Sequence, residues 1–553
     1  MSNSDIAKQL SLYGKLLEVH GENSFKAKNY ANVAYTLEHM AAPVADMGVD
    51  ALYQQRGIGQ SSGEKILELL QTGRLSVLDE LMTNTPEGIL EMLRIKGLGP
   101  KKINTIWTEL GVETVGELEY ACNENRLVAL KGFGAKTQQG ILDSIAFFRA
   151  SLGFHLWGQV EAAAKNALES LRKTFPKNRF EFNGDFRRQM PVVEGIEILT
   201  DAPMKVLRMQ FENAGGLVSS IDDTHFLRFE SANNPRLEIQ SCDAHSFAKM
   251  LFEGSASEEF LNAFNKQYSI PENVESEAII FEKNGLEFIP SPFREIATSL
   301  TLAAEKALPK FIQPKDIRGI IHSHSTYSDG ANTLEEMAAG AKAAGYEYLV
   351  ISDHSQSAGY AGGLKLDRIL QQHAEIDLLN QKLAPFRIFK SIESDILNDG
   401  SLDYPEDVLQ SFDLVIASVH SNLGMNEEKA MERLLRAVSN PFTRILGHPT
   451  GRLLLSRKGY PVNHRALIDA CAEHKVVLEI NANPRRLDID WSWIPYALER
   501  GVLLSINPDA HRLKGFDDCT FGVMAAQKGG LEATQNLSSF SLVEFEKWLH
   551  GGM

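Results

Sequence analysis

Cysteine is scarce: four in 553 residues, at Cys122, Cys242, Cys471 and Cys519, far apart and with no CxxC pair. That excludes a disulfide framework or a zinc ribbon and is the usage expected of a reduced, cytoplasmic protein. No uninterrupted apolar run approaches the ~20 residues that a bilayer-crossing helix needs. The opening MSNSDIAKQLSLYGKLLEVHGEN has no apolar stretch followed by a cleavage site, so neither a membrane protein nor a secreted one is expected. A basic surplus is also missing. Lys and Arg total 56 against 72 Asp and Glu, a net charge of −16. A generally cationic nucleic-acid binder is therefore disfavoured, although acidity summed over several domains can hide a local basic groove. What is present is ordinary for a folded chain, with 43% hydrophobic and 23% charged residues. At about 150 residues per domain, the length predicts roughly three to four units.

Residues 1 to about 150 read as short amphipathic helices joined by glycine-bearing turns. Three turns share one form: RGIGQSSGEKI (56–66), KGLGPKKINTI (96–106) and KGFGAKTQQGIL (131–142). Each carries Gly-apolar-Gly and opens another helix, and three copies make a stronger signal than one. The pairs Gly57 and Gly59, Gly97 and Gly99, and Gly132 and Gly134 would let phosphate oxygens approach backbone N–H groups at a helix N-terminus. Such binding takes the DNA backbone without reading sequence. Residues 1–150 hold 15 Lys and Arg against 18 Asp and Glu, a net of −3. Local lysines, Lys101 and Lys136 among them, must therefore carry a modest, salt-sensitive affinity.

From 155 to 255 helix and strand mix, with GIEILT, LRFES and RLEIQSC reading as strands. From 318 onward one theme repeats seven times, a short apolar run ending on a polar residue. The runs are RGIIHSH, YLVISDH, RIFKSIESD, DLVIASVH, RILGHP, VVLEINAN and VLLSINPDAH, and helices separate them. This predicts a closed or nearly closed parallel β/α barrel with functional groups at the C-terminal strand ends. Nine ligand-type residues stand there: His322, His324, Asp329, His354, Glu393, His420, His448, Asp509 and His511. On an extended segment His322 and His324 would share a face, as would Asp509 and His511. Six imidazoles and three carboxylates exceed the needs of one tetrahedral ion and suit two or three divalent ions, with Glu393 or Asp329 bridging. Mixed nitrogen and oxygen ligation suits Mn, Zn or Fe, with Mn favoured. Arg486, Arg485 and Arg452 are candidates for neutralising phosphate oxygens. His373, His464, His474 and His550 follow no apolar run and are expected on the surface.

HSHSTYSDG, ISDHS, SIESD, ASVHS, LGHPTGR, EINANPRRLDI and INPDAH resemble the successive motifs of the PHP (polymerase and histidinol phosphatase) domain over about 318–550. The resemblance implies a distorted seven-stranded barrel with a trinuclear metal site that hydrolyses phosphate esters. All nine ligand positions of that pattern are filled. The order of the remaining motifs is similar to the bacterial family-X DNA polymerases over essentially the whole chain. NGDFRRQMPVVEGIEILT resembles their palm motif and NGLEFIPSPFRE their thumb motif. The resemblance implies units at 1–85 (amino-terminal helix–hairpin–helix), 86–152 (fingers), 153–255 (palm), 256–301 (thumb), a linker at 302–317 and a PHP domain at 318–553. It departs from the family at the palm carboxylates. Gly184, Arg187 and Arg188 match, but Asp185 stands at the serine position. Gly195, Glu197 and Glu238 stand where three aspartates belong. Two-metal nucleotidyl transfer needs clustered carboxylates, and glycine offers no ligand atom. Weak or absent polymerase activity is therefore expected. Asp at 195, 197 and 238 with Ser at 185 should rebuild the set. Lys65 falls where some relatives carry a Schiff-base lysine, but Glu64 beside it makes a poor setting for a depressed pKa.

The leading expectation is a DNA-repair enzyme that binds gapped, nicked or 3′-ended DNA. Its PHP domain would act as a manganese-dependent 3′→5′ exonuclease, with apurinic-site or 3′-phosphate processing as further activities. The alternatives are an active gap-filling polymerase with PHP proofreading, and a non-catalytic DNA-binding scaffold with structural metals.

Overall fold

The computed structural model describes residues 1–551 apart from 23, 41, 56, 214–224 and 232–233. Arg56, the first residue of the first glycine turn, lies outside the described residues. The chain divides into two compact units, Met1–Leu152 and Gly153–Met553.

The first unit is helical. Its three glycine turns lead into α1 (Gln60–Thr72), α2 (Pro100–Leu110) and α3 (Ala135–Ser151). The turns are built alike. Gly57, Gly97 and Gly132 have φ of +93°, +81° and +88°, the left-handed region that only glycine enters freely. Gly59, Gly99 and Gly134 are the N-caps, extended in backbone and with no side-chain cap. Apolar helix faces close two cores, one around Leu10, Leu37 and Ile66 and one around Ile89, Ile106 and Leu118.

The second unit begins with α4 (Trp157–Thr174), which packs on a four-stranded sheet. Its strands are β1 (Phe180–Asn183), β2 (Gly195–Thr200), β3 (Phe226–Ser231) and β4 (Asn234–Ser241), in the order β1-β2-β4-β3. A phenylalanine-rich cluster around Phe252, Phe264 and Phe281 follows. Segment 302–317, expected as a linker, is tied down on both sides. Ala303 and Phe311 pack in the phenylalanine cluster, and Ile312 and Ile317 are buried in the core of the next element.

That element is a seven-stranded parallel sheet: β5 (Gly319–Ser323), β6 (Tyr348–Ile351), β7 (Arg387–Asp395), β8 (Leu414–Ser418), β9 (Thr443–Leu446), β10 (Val477–Asn481) and β11 (Leu504–Asn507). The strands pair in sequence order. The end of β5 meets the chain just past β11, where Ala510 N–H donates to the His322 carbonyl at 3.2 Å and the Ala510 carbonyl accepts from His324 N–H at 2.9 Å, so the barrel is nearly closed. Alternate strand residues serve two cores. Ile320, Leu349 and Ile388 pack outward with the helices, while Ile321, Val350 and Phe389 pack with Leu414, Ile416, Ile445 and Val477. Burial on both faces is what makes such strands continuously apolar. Phe545 and Trp548, from the C-terminal helix Leu542–Leu549, join the second core, with Phe545 stacked on Tyr348 at 4.5 Å.

Candidate metal centre

All nine ligand-type residues converge at the C-terminal strand ends of the barrel. Three sets of them bring donor atoms within 4.8 Å of one another: His324, Asp329, His354 and His511; His322, His324 and Asp509; and His354, Glu393 and His420. His448 joins through Nε2, 3.0 Å from Glu393 Oε1. Glu393 also lies 3.2 Å from His322 Nε2, 3.1 Å from His420 Nε2 and 3.0 Å from His354 Nδ1, which makes it the hub. Asp329 sits at the other end, 3.3 Å from His511 Nε2 and 3.6 Å from His354 Nε2.

The route to convergence differs from the expected strand alternation. His322 and Asp509 have φ of +65° and +52°, and the β5–β6 register shifts between Ile320 and Ser323. A bulge with a left-handed residue at His322 replaces the simple alternation, and His322 and His324 still enter one site. His448 is likewise at positive φ. Backbone strain of this kind persists only where the surroundings over-determine it.

The carboxylates of the cluster are ionised, and against burial they in turn hold His322, His420 and His511 above the ordinary histidine value. Burial works against charge on Glu393, Asp509 and Asp329, yet the facing imidazoles hold all three carboxyls well below their ordinary range. Burial, with His511 and His354 alongside, pushes His324 down to about 3, so its ring is neutral. Buried His322 Nε2, His324 Nδ1, His354 Nδ1 and Glu393 Oε2 find no hydrogen-bond partner. Buried polar atoms without partners are costly, and clustered lone pairs facing each other are what a bound cation would relieve. The residues present fit a multinuclear divalent-metal site.

Several polar groups that sequence reasoning passed over hold the ligands in place. Glu479 is fully buried and accepts from His322 Nδ1 at 2.7 Å, His448 N–H at 3.0 Å and Asn507 Nδ2 at 2.8 Å. Asp395 bonds His420 Nδ1. Asp353 gathers Ser325, Ser328 and Gln372 beneath the first loop. All three carboxylates stand inside the quoted motifs EINAN, SIESD and ISDHS. For Asp353 and Asp395 a strand-end carboxylate one or two places from a ligand was the available signal; Glu479, in mid-strand, has no such neighbour. Carboxylates behind metal-binding histidines fix the tautomer and typically change metal affinity ~10–100-fold when lost.

Among the arginines, Arg486 reaches the site, its Nε 3.6 Å from Asp509 Oδ2. Arg452 does not serve as expected: it bonds Asp490 at 2.7 Å and the carbonyls of Arg486 and Leu487, so it braces the loop that carries Arg486. Two surface expectations also fail. His373 is buried against Phe412, and His464 is half-buried, stacked on Trp493 at 4.6 Å. Both lie at helical spacing with buried apolar residues of their own helices, Ile369 and Ile376 for His373 and Leu467 and Ile468 for His464, which turns them inward.

In the four-stranded sheet, register places Gly195 opposite Arg236 and Glu197 opposite Glu238. Glu238 is held by Arg228 at 2.6 Å. Burial, then Asp185 and Glu238, push Glu197 above its ordinary value. Arg187 pairs with Glu277, and Arg188 with Glu295 at 2.8 Å and Asp185 at 3.1 Å. Gly184 has φ +58°, and a Cβ there would collide with the Glu197 carboxylate, so the position requires glycine. A Cβ at Gly195 would lie 2.5 Å from the Arg236 carbonyl oxygen. The expected rebuilding with Asp at 195 is therefore blocked unless β2 and β4 move apart. Lys65 lies on α1 with its Nζ 5.7 Å from the Tyr30 ring centroid and 3.5 Å from the Ser61 carbonyl oxygen.

At the glycine turns, a Cβ at Gly59, Gly97, Gly99, Gly132 or Gly134 would meet nothing within 4 Å. Positive φ explains Gly97 and Gly132. It does not explain the three N-cap glycines, whose bareness leaves the helix N-terminus open from outside. Lys101 and Lys136 are exposed at the starts of α2 and α3.

Fold and site together define the class, a chain of helix–hairpin–helix elements joined to a PHP-like phosphoesterase barrel with buried metal-binding clusters. A family model described as "Helix-hairpin-helix domain" matches residues 1–75, and "SAM-like Helix-hairpin-helix tandem" matches residues 89–146. Over 571 aligned residues, 99% of each chain, the sequence is 34% identical to a Bacillus subtilis protein named "DNA polymerase/3'-5' exonuclease PolX", and the chain belongs to that PolX family. A protein of Thermoanaerobacter sp. named "Probable phosphatase" is 27% identical over 34% of this chain and 77% of its own. Another so named, from Caldicellulosiruptor bescii, is 26% identical over 42% of this chain and 95% of its own. No helix among the described residues is long and apolar enough to cross a membrane.

Proposed function

We propose that the barrel hydrolyses DNA phosphodiesters from the 3′ end, with Mn²⁺ as the favoured metal and the helix–hairpin–helix turns holding gapped, nicked or 3′-ended DNA. The observation that carries this reading is the convergence of neutral His324 with ionised Asp329, Glu393 and Asp509 around unpartnered ring nitrogens. Divalent ions in such a site supply activated water and neutralise charge on the phosphodiester. His322, His324, Asp329, His354, Glu393, His420, His448, Asp509 and His511 would hold them. Glu479 and Asp395 fix the orientation of His322 and His420. Arg486 presents a cation to a non-bridging phosphate oxygen at the edge of the cluster. Apurinic-site and 3′-phosphate processing would use the same centre.

For the palm, whole-chain identity to a protein named as a polymerase favours the alternative above the expected loss, an active gap-filling polymerase with PHP proofreading. Residues 153–255 would act as palm, 256–301 as thumb and 86–152 as fingers, with the amino-terminal hairpin of 1–85 also on DNA. Glu197 and Glu238 are then the carboxylates available for nucleotide addition, and Gly195 leaves that set one ligand short. Extension should be slow and should depend on both. A labelled gapped duplex with Mn²⁺ tests both activities: shortening without dNTPs and slow extension with them. In an Asp509→Ala background Glu238→Gln should abolish the extension. Robust extension by that double variant would remove the palm from the reaction.

The hairpins make a separate prediction. Gly99→Val and Gly134→Val change positions of ordinary φ with open space around them, so folding should be spared. Affinity for gapped duplex should fall roughly tenfold, evenly across sequences, as the side chain holds phosphate off the helix N-terminus. Binding measured by anisotropy at fixed salt checks this, and unchanged affinity in both variants would make the turns purely structural.

A further inference from the structure

One exposed aromatic stands at the rim of the metal centre. Tyr360 is 70% exposed, yet its ring centroid is 6.2 Å from that of His354. Burial, then the charges of Asp395, Glu393 and Asp329, raise its phenol above the ordinary value, which places the ring within electrostatic reach of the cluster and of Arg486. The loop that presents it is fixed. Ala358 and Ala361 on either side are buried, and Gly363 N–H donates to the Ala358 carbonyl at 3.1 Å. Leu364 N–H donates to the His354 carbonyl at 2.9 Å, and Tyr404 caps the Leu364 carbonyl from below. Ser357 donates to Asp395 at 2.7 Å, the carboxylate that also orients His420. The loop is thus wired to the ligand set, and its one large apolar surface faces solvent.

A mobile surface tyrosine would need no such pedestal. A ring carried on a braced loop beside the site where a phosphodiester must sit has the geometry of a stacking platform. The aromatic face offers sequence-tolerant attraction to any nucleobase, while the metal cluster and Arg486 take the adjoining phosphate. We propose that Tyr360 is a specificity-determining residue of the barrel that stacks on the nucleobase next to the scissile phosphate, so that base-bearing nucleotidyl phosphodiesters are preferred over the abasic and 3′-phosphate ends that the same centre takes. The proposal rests on the exonuclease reading above. Tyr360 makes no bond in the reaction; it selects and seats the end.

The test separates seating from chemistry. Oligonucleotides ending in a normal 3′ nucleotide or in a tetrahydrofuran abasic residue are supplied with Mn²⁺. Wild-type protein should show a KM roughly tenfold or more lower for the base-bearing end. Tyr360→Ala should raise that KM to the abasic value while leaving turnover of the abasic end unchanged, and Tyr360→Phe should restore the difference. Stacking is read independently of hydrolysis in the Asp509→Asn background, where fluorescence of a terminal 2-aminopurine should be quenched on binding. Adding Tyr360→Ala should remove the quench and adding Tyr360→Phe should keep it. An undiminished quench and KM difference in Tyr360→Ala would overturn the proposal. So would an equal loss on both ends, which marks the ring as structural. Absence of cleavage by the wild type with the quench intact would instead count against the exonuclease reading alone.

Discussion

His324→Ala should lower 3′→5′ hydrolysis by on the order of a thousandfold while leaving DNA affinity and fold intact. His324, like His354, is shared by two of the three donor sets, and it lies within reach of both Asp509 and Asp329. It is buried and neutral, so it brings a lone pair with no proton to displace. Its removal takes a donor from two positions at once and leaves the Asp509 and Glu393 carboxylates facing each other with less compensation. Asp509→Ala should be comparably damaging, because Asp509 meets His322, His324 and Arg486. Second-tier variants separate orientation from ligation. Glu479→Gln should weaken metal affinity ~10–100-fold, with activity recovering at high Mn²⁺, which His324→Ala should not show.

Glu295→Ala should cost about 3–5 kcal/mol of stability in the second unit, a loss visible in Tm and in urea unfolding. Arg188 and Lys528 both pair with Glu295, at 2.8 and 2.7 Å, and Lys528 is completely buried. Lys528 comes from the barrel helix Cys519–Lys528, while Arg188 comes from the palm motif. Deleting the shared carboxylate strands Lys528 in low dielectric and leaves Arg188 with Asp185, itself about half exposed, as its remaining carboxylate. Burial already pulls Lys528 down to about 8, with Glu295 opposing. Without Glu295 it should fall further, so the variant's stability deficit should shrink as pH rises from 7 to 9, where a neutral lysine costs less. Glu277 behaves oppositely. Burial raises its carboxyl, but Arg187 and Arg294 outweigh burial and hold it below the unfolded value of 4.5. Its contribution is complete above that pH and is lost as pH falls through the lower folded value.

The barrel was legible because its strands are apolar on both faces and each stops at a polar residue, which exposes seven ends and nine ligand types to simple reading. The three helix–hairpin–helix turns were legible because φ near +80° at Gly57, Gly97 and Gly132 demands glycine at a fixed spacing. What sequence did not reveal depends on contacts between distant segments. The positive φ at His322 follows from how β5 meets the β11 end at Ala510. Arg452 reads as a phosphate ligand until Asp490 and the Leu487 carbonyl are seen to occupy it. Gly195 reads as a missing ligand, but only the sheet shows the Arg236 carbonyl filling the space a carboxylate stem would need.

One gel tests the central claim most directly. Metal-stripped wild type, Asp509→Ala and Glu238→Gln are each given Mn²⁺ and a 5′-labelled gapped duplex without dNTPs, after contaminating nucleases have been excluded. Stepwise shortening by wild type and Glu238→Gln, with none by Asp509→Ala, is the predicted result. Undiminished shortening by Asp509→Ala would contradict the assignment of hydrolysis to the barrel.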